Sequence, residues 1–353
     1  MPGMVLHRKR DGSATPMAAP CSQPARTGSG PCLGRRALLA LPLLAVPGLV
    51  RAQGWEPTRP IRIIVGFAAG GGVDIATRAI APRLGELLGQ GIVVENRSGA
   101  GGNLAVEATV HAPADGYTLL MASPGALIVN PILFRDLGFV PSRDLVTVAM
   151  AANAFNVLTV RADRPWRSQA ELIAAAKAQP GKLSWGHPGV GASPHLAGVQ
   201  FDRLAGTQTV GVGYRGGGLV ATDLIGGQID FSFLTGSSAI GHIRAGRLRA
   251  LAVPSRERSA MLPEVPTSIE AGLPGMVVEN WYALLAPRGT PEAAVARIGV
   301  AVQEALRDPK VQEALTRAAV EPMFADAAAF AALWAQERER WEPIVRESGI
   351  KPE

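Results

Sequence analysis

The sequence predicts an α/β protein with two domains, each a mixed, mainly parallel sheet flanked by helices. The chain has 353 residues, 47% of them hydrophobic, which is enough for two sizeable cores. Short apolar runs alternate with glycine-rich turns and helical patterns, as they do in sheets with parallel strands. Glycine or small-residue loops follow predicted strands in both halves, so each half is expected to form its own sheet.

Residues 1–52 have the order of zones found in an export signal. A basic region ends in Arg35-Arg36, an apolar run follows over 37–50, and Val50-Arg51-Ala52 has small residues at both positions that specify cleavage. We expect cleavage after Ala52, with export by the twin-arginine or the general secretory route. A disordered cytosolic tail is the alternative.

Charge and cysteine positions exclude several classes of function. Of the 35 basic and 29 acidic residues, seven and one lie in residues 1–52, so 28 of each remain and the body is formally neutral. That balance lacks the basic footprint of a nucleic-acid-binding domain. Cys21 and Cys32 precede the predicted cleavage point, so no disulfide or cysteine ligand is expected in the mature chain. We find no other apolar run near the roughly 20 residues of a membrane span, and expect a soluble mature protein.

The first predicted unit is the strand, turn and helix of residues 61–88. Isoleucine and valine dominate the strand, three glycines follow, and Asp74 opens the helical pattern as its expected N-cap, replaceable by asparagine at little cost. Pro82 predicts a kink or a break in the helix. Unpaired N–H groups at this helix start can bind a carboxylate or phosphate, although a simple connecting turn is the alternative.

The same pattern continues to the end of the chain. Ser168 and Glu171 predict a capping box, and Thr290-Pro291 predicts an N-cap followed by proline at the first helical position. An apolar stretch over 145–160 is expected to carry strands into the second domain. Further strands are predicted at 91–95, 117–121, 183–186, 209–212, 228–234, 248–253 and 276–285, and further helices at 104–111, 168–178, 195–204, 218–225, 292–306, 309–318 and 327–346.

Enzyme motifs are absent or broken. Gly70-Gly71-Gly72 lacks the third glycine of a dinucleotide fingerprint, and GASPH around Ser193 has histidine where a hydrolase motif needs glycine. A hydrolase using Ser193 and His195 is therefore the less favoured alternative. His187 and His195 lack a metal-ligand spacing, and we expect no metal and no cofactor. His195 is either a cap or core residue or a hydrogen-bond donor to a ligand, and Tyr214 lines a cleft or lies at the surface.

Several segments, in this order, resemble the periplasmic solute receptors of tripartite tricarboxylate transporters, also called Bug-type receptors. The resemblance covers nearly all of residues 53–353. It implies a type II-like periplasmic binding protein with lobe 1 at 53–154 plus 276–353 and lobe 2 at 155–275. The segments are PTRPIRIIVGFAAGGGVDIATR, VVENRSGAGGN, ADGYTLL, GKLSWGHPGVGASPHLAG, VGYRGGG, GGQID, GRLRALAV, SRERSAMLPEVPTSIEAGLPG and ENWYALLAPRGTP.

The resemblance also implies that a ligand carboxylate is held largely by backbone amides and water from facing loops. Family members commonly have Pro-Tyr-Lys-Gly where this chain has Gly213-Tyr214-Arg215-Gly216, and proline where Ala69 stands, so both loops are expected to be looser. Carried over by position, the ligand-binding residues are Phe67, Ala68, Gly70, Gly71, Asp74 and Ser123 on one side and Gly189, Ser193, His195 and Tyr214 opposite.

These observations predict a periplasmic receptor, monomeric and not an enzyme. It is expected to capture a small carboxylate by closure of two lobes and to deliver it to the membrane subunits of a tripartite tricarboxylate transporter. A carboxylate receptor for a membrane sensor kinase is an alternative with the same lobes. We expect glycine amides, rather than acidic or basic side chains, to contact the ligand. Dicarboxylates, tricarboxylates, amino acids and aromatic acids all fit such a clamp.

Overall fold

The computed structural model describes residues 54–134 and 136–348, and the predicted export signal lies outside them. The first part of the described chain alternates strands and helices as predicted. One 3-10 turn (Ala100–Gly102) precedes the second helix, and one π-helical turn (Gly125–Val129) follows the third strand. The elements are β1 (Ile61–Val65), α1 (Gly72–Leu88), β2 (Ile92–Asn96), α2 (Asn103–Val110), β3 (Thr118–Ala122), the short α3 (Asn130–Leu133) and α4 (Pro141–Asp144), and β4 (Leu145–Asn153).

The middle part of the chain forms a second set of elements. Its helix α5 begins at a capped end, where the Ser168 hydroxyl accepts a hydrogen bond from the backbone of Glu171 at 3.2 Å. The elements are β5 (Asn156–Arg161), α5 (Gln169–Ala178), β6 (Ser184–His187), α6 (Ser193–Ala205), β7 (Val210–Gly213), α7 (Gly217–Gly226), β8 (Phe231–Thr235), α8 (Gly236–Arg244) and β9 (Leu248–Ala252).

The last part returns to the first sheet. Its strand starts later than predicted, because residues 276–280 run along the crossing between the sheets and only residues from Trp281 join the ladder. The elements are β10 (Trp281–Pro287), α9 (Glu292–Arg307), α10 (Pro309–Arg317), β11 (Glu321–Asp326) and α11 (Ala327–Glu347).

Two mixed sheets organise the molecule and confirm the α/β class. The first has the strand order β11-β4-β10-β3-β1-β2 and the second β7-β6-β8-β5-β9. Parallel pairs centre on β1 and β6, whereas β5 and β10 run antiparallel to their neighbours. Antiparallel pairing is therefore more extensive than the predicted mainly parallel sheets, because each strand that directly follows a crossing enters its sheet against its neighbours. The lobe boundaries after residues 154 and 275 stay a prediction.

Two local features differ from their predictions. Helix α1 continues through Pro82 to Leu88, so this proline does not end it. Pro291, rather than Thr290, precedes the first residue of α9, and the Thr290 hydroxyl donates to the carbonyl of Pro287. Helix α8 and strand β11 were not predicted at all. No helix within the described residues is long and apolar enough to span a membrane.

Candidate functional site

The loop between β1 and α1 is held in shape by the carboxylate of Asp74. One oxygen accepts from the backbone N–H of Gly70 at 2.9 Å, and the other accepts from Arg78 Nε at 2.9 Å and Asn96 Nδ2 at 2.8 Å. Asn96 Nδ2 also donates to the carbonyl of Phe67 at 2.9 Å. Asp74 is 2% exposed, so its carboxylate is turned into the protein rather than into the loop's open face.

Asp74 is not the N-cap of α1. Gly71 occupies that position without a side-chain bond, and Asp74 is the third residue of the helix, from which its side chain reaches back to Gly70. Burial alone would raise the pKa of Asp74. The hydrogen bonds from Gly70, Asn96 and Arg78 outweigh burial and lower this pKa below its usual value. The carboxylate is therefore ionised at neutral pH and fully engaged in organising the loop.

The free amides of this turn are not those of the first two glycines. The Gly70 N–H donates to Asp74, and the Gly71 N–H donates to the carbonyl of Ala68 at 3.1 Å. None of the described residues accepts a hydrogen bond from the N–H groups of residues 72–74, which form the first turn of α1. These amides carry the positive end of a 17-residue helix. The anion-binding capacity predicted for the turn thus lies at the helix start.

A second loop lies directly beside the first. A Cβ built on Gly66 would be 2.8 Å from the Cα of Gly102, so glycine is needed where these two loop segments meet. Asn130, which is buried, holds this second loop through bonds from its Nδ2 to the Gly101 carbonyl at 2.9 Å and to Asn103 Oδ1 at 2.8 Å. The glycine-rich segment 98–103 is therefore packed against the loop of Asp74.

The loops of the two sheets touch at residues 125 and 191. A Cβ built on Gly125 would lie 2.9 Å from the carbonyl oxygen of Gly191, which places residues 123–125 of one sheet against residues 189–195 of the other. Ser123 and Ser193 are both buried here. The structure thus brings the Ser123 region together with the Gly189 to His195 region, as the assignment to facing loops requires.

His195 is a buried, neutral histidine. Its Nδ1 accepts from the backbone N–H of Gly191 at 3.3 Å, and its ring centroid is 4.3 Å from that of His187. Burial, and secondarily the neighbouring His187, lower the pKa of His195 to about 3. With Nδ1 as the acceptor, the remaining proton is on Nε2, so this imidazole can donate one hydrogen bond.

Ser193 and His195 are each bonded to other groups rather than to one another. The Ser193 hydroxyl donates to Asn156 Oδ1 at 3.1 Å, and His195 Nδ1 is already bonded to Gly191. Among the described residues no hydrogen bond joins this serine to the imidazole, which a serine nucleophile requires. The described residues also contain no group of three or more side chains that could hold a metal ion.

The hydroxyl group of Tyr214 is hydrogen-bonded within the protein. It donates to Asp223 Oδ2 at 2.9 Å, and the Tyr214 backbone N–H donates to the carbonyl of His187. Burial, together with the Asp223 carboxylate, raises the pKa of Tyr214 to about 12. Its hydroxyl is therefore engaged within the protein, and its half-buried ring packs against the core of the second sheet.

Sequence reasoning missed the residues that lie against the start of α1. A Cβ built on Gly72 would be 2.6 Å from the Tyr282 hydroxyl and 3.9 Å from Ser237 Oγ, at the start of α8. Tyr282 lay in an apolar run that predicted only a strand. Helix α8 was missed because its first residues, Gly236, Ser237 and Ser238, are typical of turns.

A surface groove of about 600 Å³ lies between α1 and β2, and another of about 340 Å³ lies beside α11. None of the predicted ligand-binding residues lines either groove. The candidate site is therefore defined by its facing loops and open amides.

Two α/β sheets, crossed twice by the chain, with glycine loops that meet between them and an open helix start, define a solute-binding protein of the periplasmic type. A model of the tripartite tricarboxylate transporter family receptor matches residues 76–350. The chain belongs to this family of receptors, which confirms the resemblance seen in the sequence.

Individual relatives agree with this assignment. Protein BugT of Bordetella pertussis is 36% identical over 84% of this chain and 91% of its own length. A solved Rhodopseudomonas palustris structure, MatC with bound malate, is 32% identical with a TM-score of 0.72, over 82% of this chain and 99% of that one. An R. palustris structure with adipate is 33% identical with a TM-score of 0.76, over 84% and 99%.

Proposed function

We propose that this protein is a receptor that captures a small carboxylate between its two sheets. The open first-turn amides of α1, at residues 72–74, are the observation that carries the proposal. A carboxylate placed there accepts hydrogen bonds that the protein leaves unmade, at the positive end of the helix dipole. The relatives solved with malate and adipate support the same ligand class.

The charges around this turn favour an amide clamp over an ion pair. Arg78, in α1, donates through its guanidinium to Asp74 and Asn96, so its charge is engaged by the carboxylate that shapes the loop. His195, on the loop that meets Gly125, is neutral because burial lowers its pKa, so it supplies no countercharge either. A ligand carboxylate is thus held by backbone dipoles and neutral donors, which bind it without a formal countercharge.

The proposal includes the receptor's cellular role, its two lobes and its export. The receptor works as a monomer in the periplasm, after removal of residues 1–52, and delivers its ligand to the membrane subunits of a tripartite tricarboxylate transporter. Lobe 1 consists of residues 53–154 and 276–353, and lobe 2 of residues 155–275. The proposed site is formed by Phe67, Ala68, Gly70, Gly71, Asp74, Ser123, Gly189, Ser193, His195 and Tyr214, and it performs no catalysis. Within this set, Gly70, Gly71 and Asp74 shape the turn through their own hydrogen bonds.

A thermal-shift screen of purified mature protein tests the ligand class. Acids, including malate and adipate, are compared with their uncharged diamides, which have the same carbon skeleton. A bound acid at about 100 times its Kd stabilises the folded state by roughly 2.7 kcal/mol, whereas the diamide does not. If no acid raises the Tm, or if diamides raise it equally, the carboxylate clamp is wrong.

Uptake assays test the delivery step separately. Cells that carry the transporter's membrane subunits are expected to take up the labelled acid only when this receptor is present. Binding without receptor-dependent uptake would instead favour a signalling role, in which the liganded receptor contacts a membrane sensor kinase.

A further inference from the structure

The chain crosses between the two sheets at two neighbouring segments that are bonded to each other. Residues 154–155 lead from β4 to β5, and residues 253–280 lead back from β9 to β10. The Ala154 N–H donates to the carbonyl of Asn280 at 2.8 Å, and the Val278 N–H donates to the carbonyl of Pro254 at 2.7 Å. These bonds make the crossing a small backbone assembly of its own.

Asn156 joins this crossing to the ligand loop through the two ends of its side-chain amide. Its Nδ2 donates to the carbonyl of Val278 at 3.1 Å, and its Oδ1 accepts from the Ser193 hydroxyl at 3.1 Å. Ser193 is the first residue of α6, directly after the loop that meets Gly125. The side-chain amide of Asn156 therefore links the first turn of α6 to the segment that leads back to the first sheet.

Burial makes both bonds consequential. Asn156 is 1% exposed, Val278 2% and Ser193 5%, so none of the three polar groups has water as a ready replacement partner. A buried polar group that loses its partner bears its full desolvation penalty. Any relative movement of the α6 start and the crossing must either keep both bonds or leave buried groups unpaired.

We propose that Asn156 is a positioning residue that fixes the ligand loop of α6 to the crossing between the lobes. Resting on the proposed function, this assigns Asn156 the task of setting Ser193 and the α6 first turn in their binding position. It also makes the loop and the crossing move as one body when the lobes close. Asn156 itself does not contact the ligand.

The two ends of the amide can be tested separately by amide hydrogen exchange on the unliganded protein. Ser193→Ala removes only the loop bond. Asn156→Leu removes both the loop bond and the bond to Val278. Thr159→Val is the matched control, because it deletes another buried hydrogen bond of the same strand, from Thr159 to Ser232 at 3.0 Å, away from the loop.

A distinct pattern of exchange is expected. Ser193→Ala speeds exchange about tenfold in residues 189–196 only, and Asn156→Leu does so both there and in residues 278–281, because a tenfold change corresponds to one hydrogen bond of ordinary net strength. Thr159→Val changes neither segment relative to the rest of the sheet. Uniform changes in all three variants, or no change in either segment for Asn156→Leu, would overturn the proposal.

Ligand affinity provides the second measurement, with the tightest acid from the screen. Ser193→Ala and Asn156→Leu are each expected to raise the Kd about tenfold, and the double variant to raise it no further, because Asn156 acts through Ser193. Multiplied effects near a hundredfold would overturn the coupling. If the wild-type protein binds no acid, the proposed function fails while the exchange pattern still decides the role of Asn156.

Discussion

Replacing Asp74 with asparagine separates a simple helix cap from a residue that holds the ligand loop. The carboxylate accepts three hydrogen bonds, from Gly70, Arg78 and Asn96. An amide of the same shape has only one oxygen. If that oxygen faces Arg78 and Asn96, the new NH₂ group points at the Gly70 N–H, and two donors face each other. In the reversed orientation, the same clash occurs with Arg78 and Asn96.

The less damaging orientation loses the Gly70 bond, which is a bond to a charged acceptor worth about 1.5–3 kcal/mol. Because Gly70 is exposed and water can partly replace the lost acceptor, we take about 2 kcal/mol from the low end of that range. For a chain of this size that loss lowers the Tm by roughly 4 °C. A loop no longer fixed at Gly70 is expected to raise the ligand Kd about tenfold, equivalent to ~1.4 kcal/mol.

The assay compares Tm and ligand Kd for Asp74→Asn and for a matched control, Asp202→Asn. Asp202 also accepts three hydrogen bonds, from the Thr207 hydroxyl and from the backbone and hydroxyl of Thr209. It lies in the last turn of α6, at the opposite end of that helix from the loop. The Tm of the control should fall by a similar amount, while its ligand Kd stays unchanged. An Asp74→Asn protein that melts and binds like wild type, beside a destabilised control, would refute the reasoning.

Three further perturbations probe other parts of the site and fold. Gly72→Ala brings a Cβ within 2.6 Å of the Tyr282 hydroxyl; overpacking of about 1–3 kcal/mol is expected, and Tyr282→Phe in the same chain should restore most of the Tm. Unfolded histidine binds a proton near pH 6.5, but folded His195 does so near pH 3; this site alone therefore lowers the free energy of unfolding by about 2 kcal/mol between pH 7 and pH 5. His195→Gln should flatten that part of the urea-unfolding pH profile, and an unchanged slope would contradict it. Burial raises the pKa of Glu337 despite its bond from Trp341, so raising the pH should destabilise wild type relative to Glu337→Gln, and a constant difference would contradict this.

Strong local patterns explain which elements the sequence could predict. Apolar runs such as 61–65 and 118–122 are buried strands, and the helices with clear periodicity lie within a few residues of their predicted bounds. Strand β11 was missed because it is an edge strand with an exposed Met323 and a proline, so it has little apolar pattern. An apolar pattern indicates a strand only where the strand is buried, and most of the side chains of β11 are not buried.

The site could be predicted only as a set of loops. Glycine runs indicate where chains approach closely, and Gly66 and Gly125 do sit at such approaches. The bonds that shape those loops join residues far apart in sequence, as Asn156 does with Val278, and no local pattern encodes such a partner. The N-cap position expected for Asp74 was wrong, because its side chain instead reaches back to Gly70 and across to Asn96 in the next strand.

Arg78 lies next to the loop of Asp74 and is bonded to the residues that shape it. It donates to Asp74 and Asn96, so its charge is balanced by the same carboxylate that fixes Gly70. If the proposed clamp holds, the first-turn amides supply affinity for any carboxylate, and changes in the Asp74 network should weaken all acids alike. Selection among acids must then come from groups that meet the rest of the ligand. The Tyr282 hydroxyl and Ser237 Oγ lie nearest to a Cβ built on Gly72, so substitutions at these two residues are the first test of that selection.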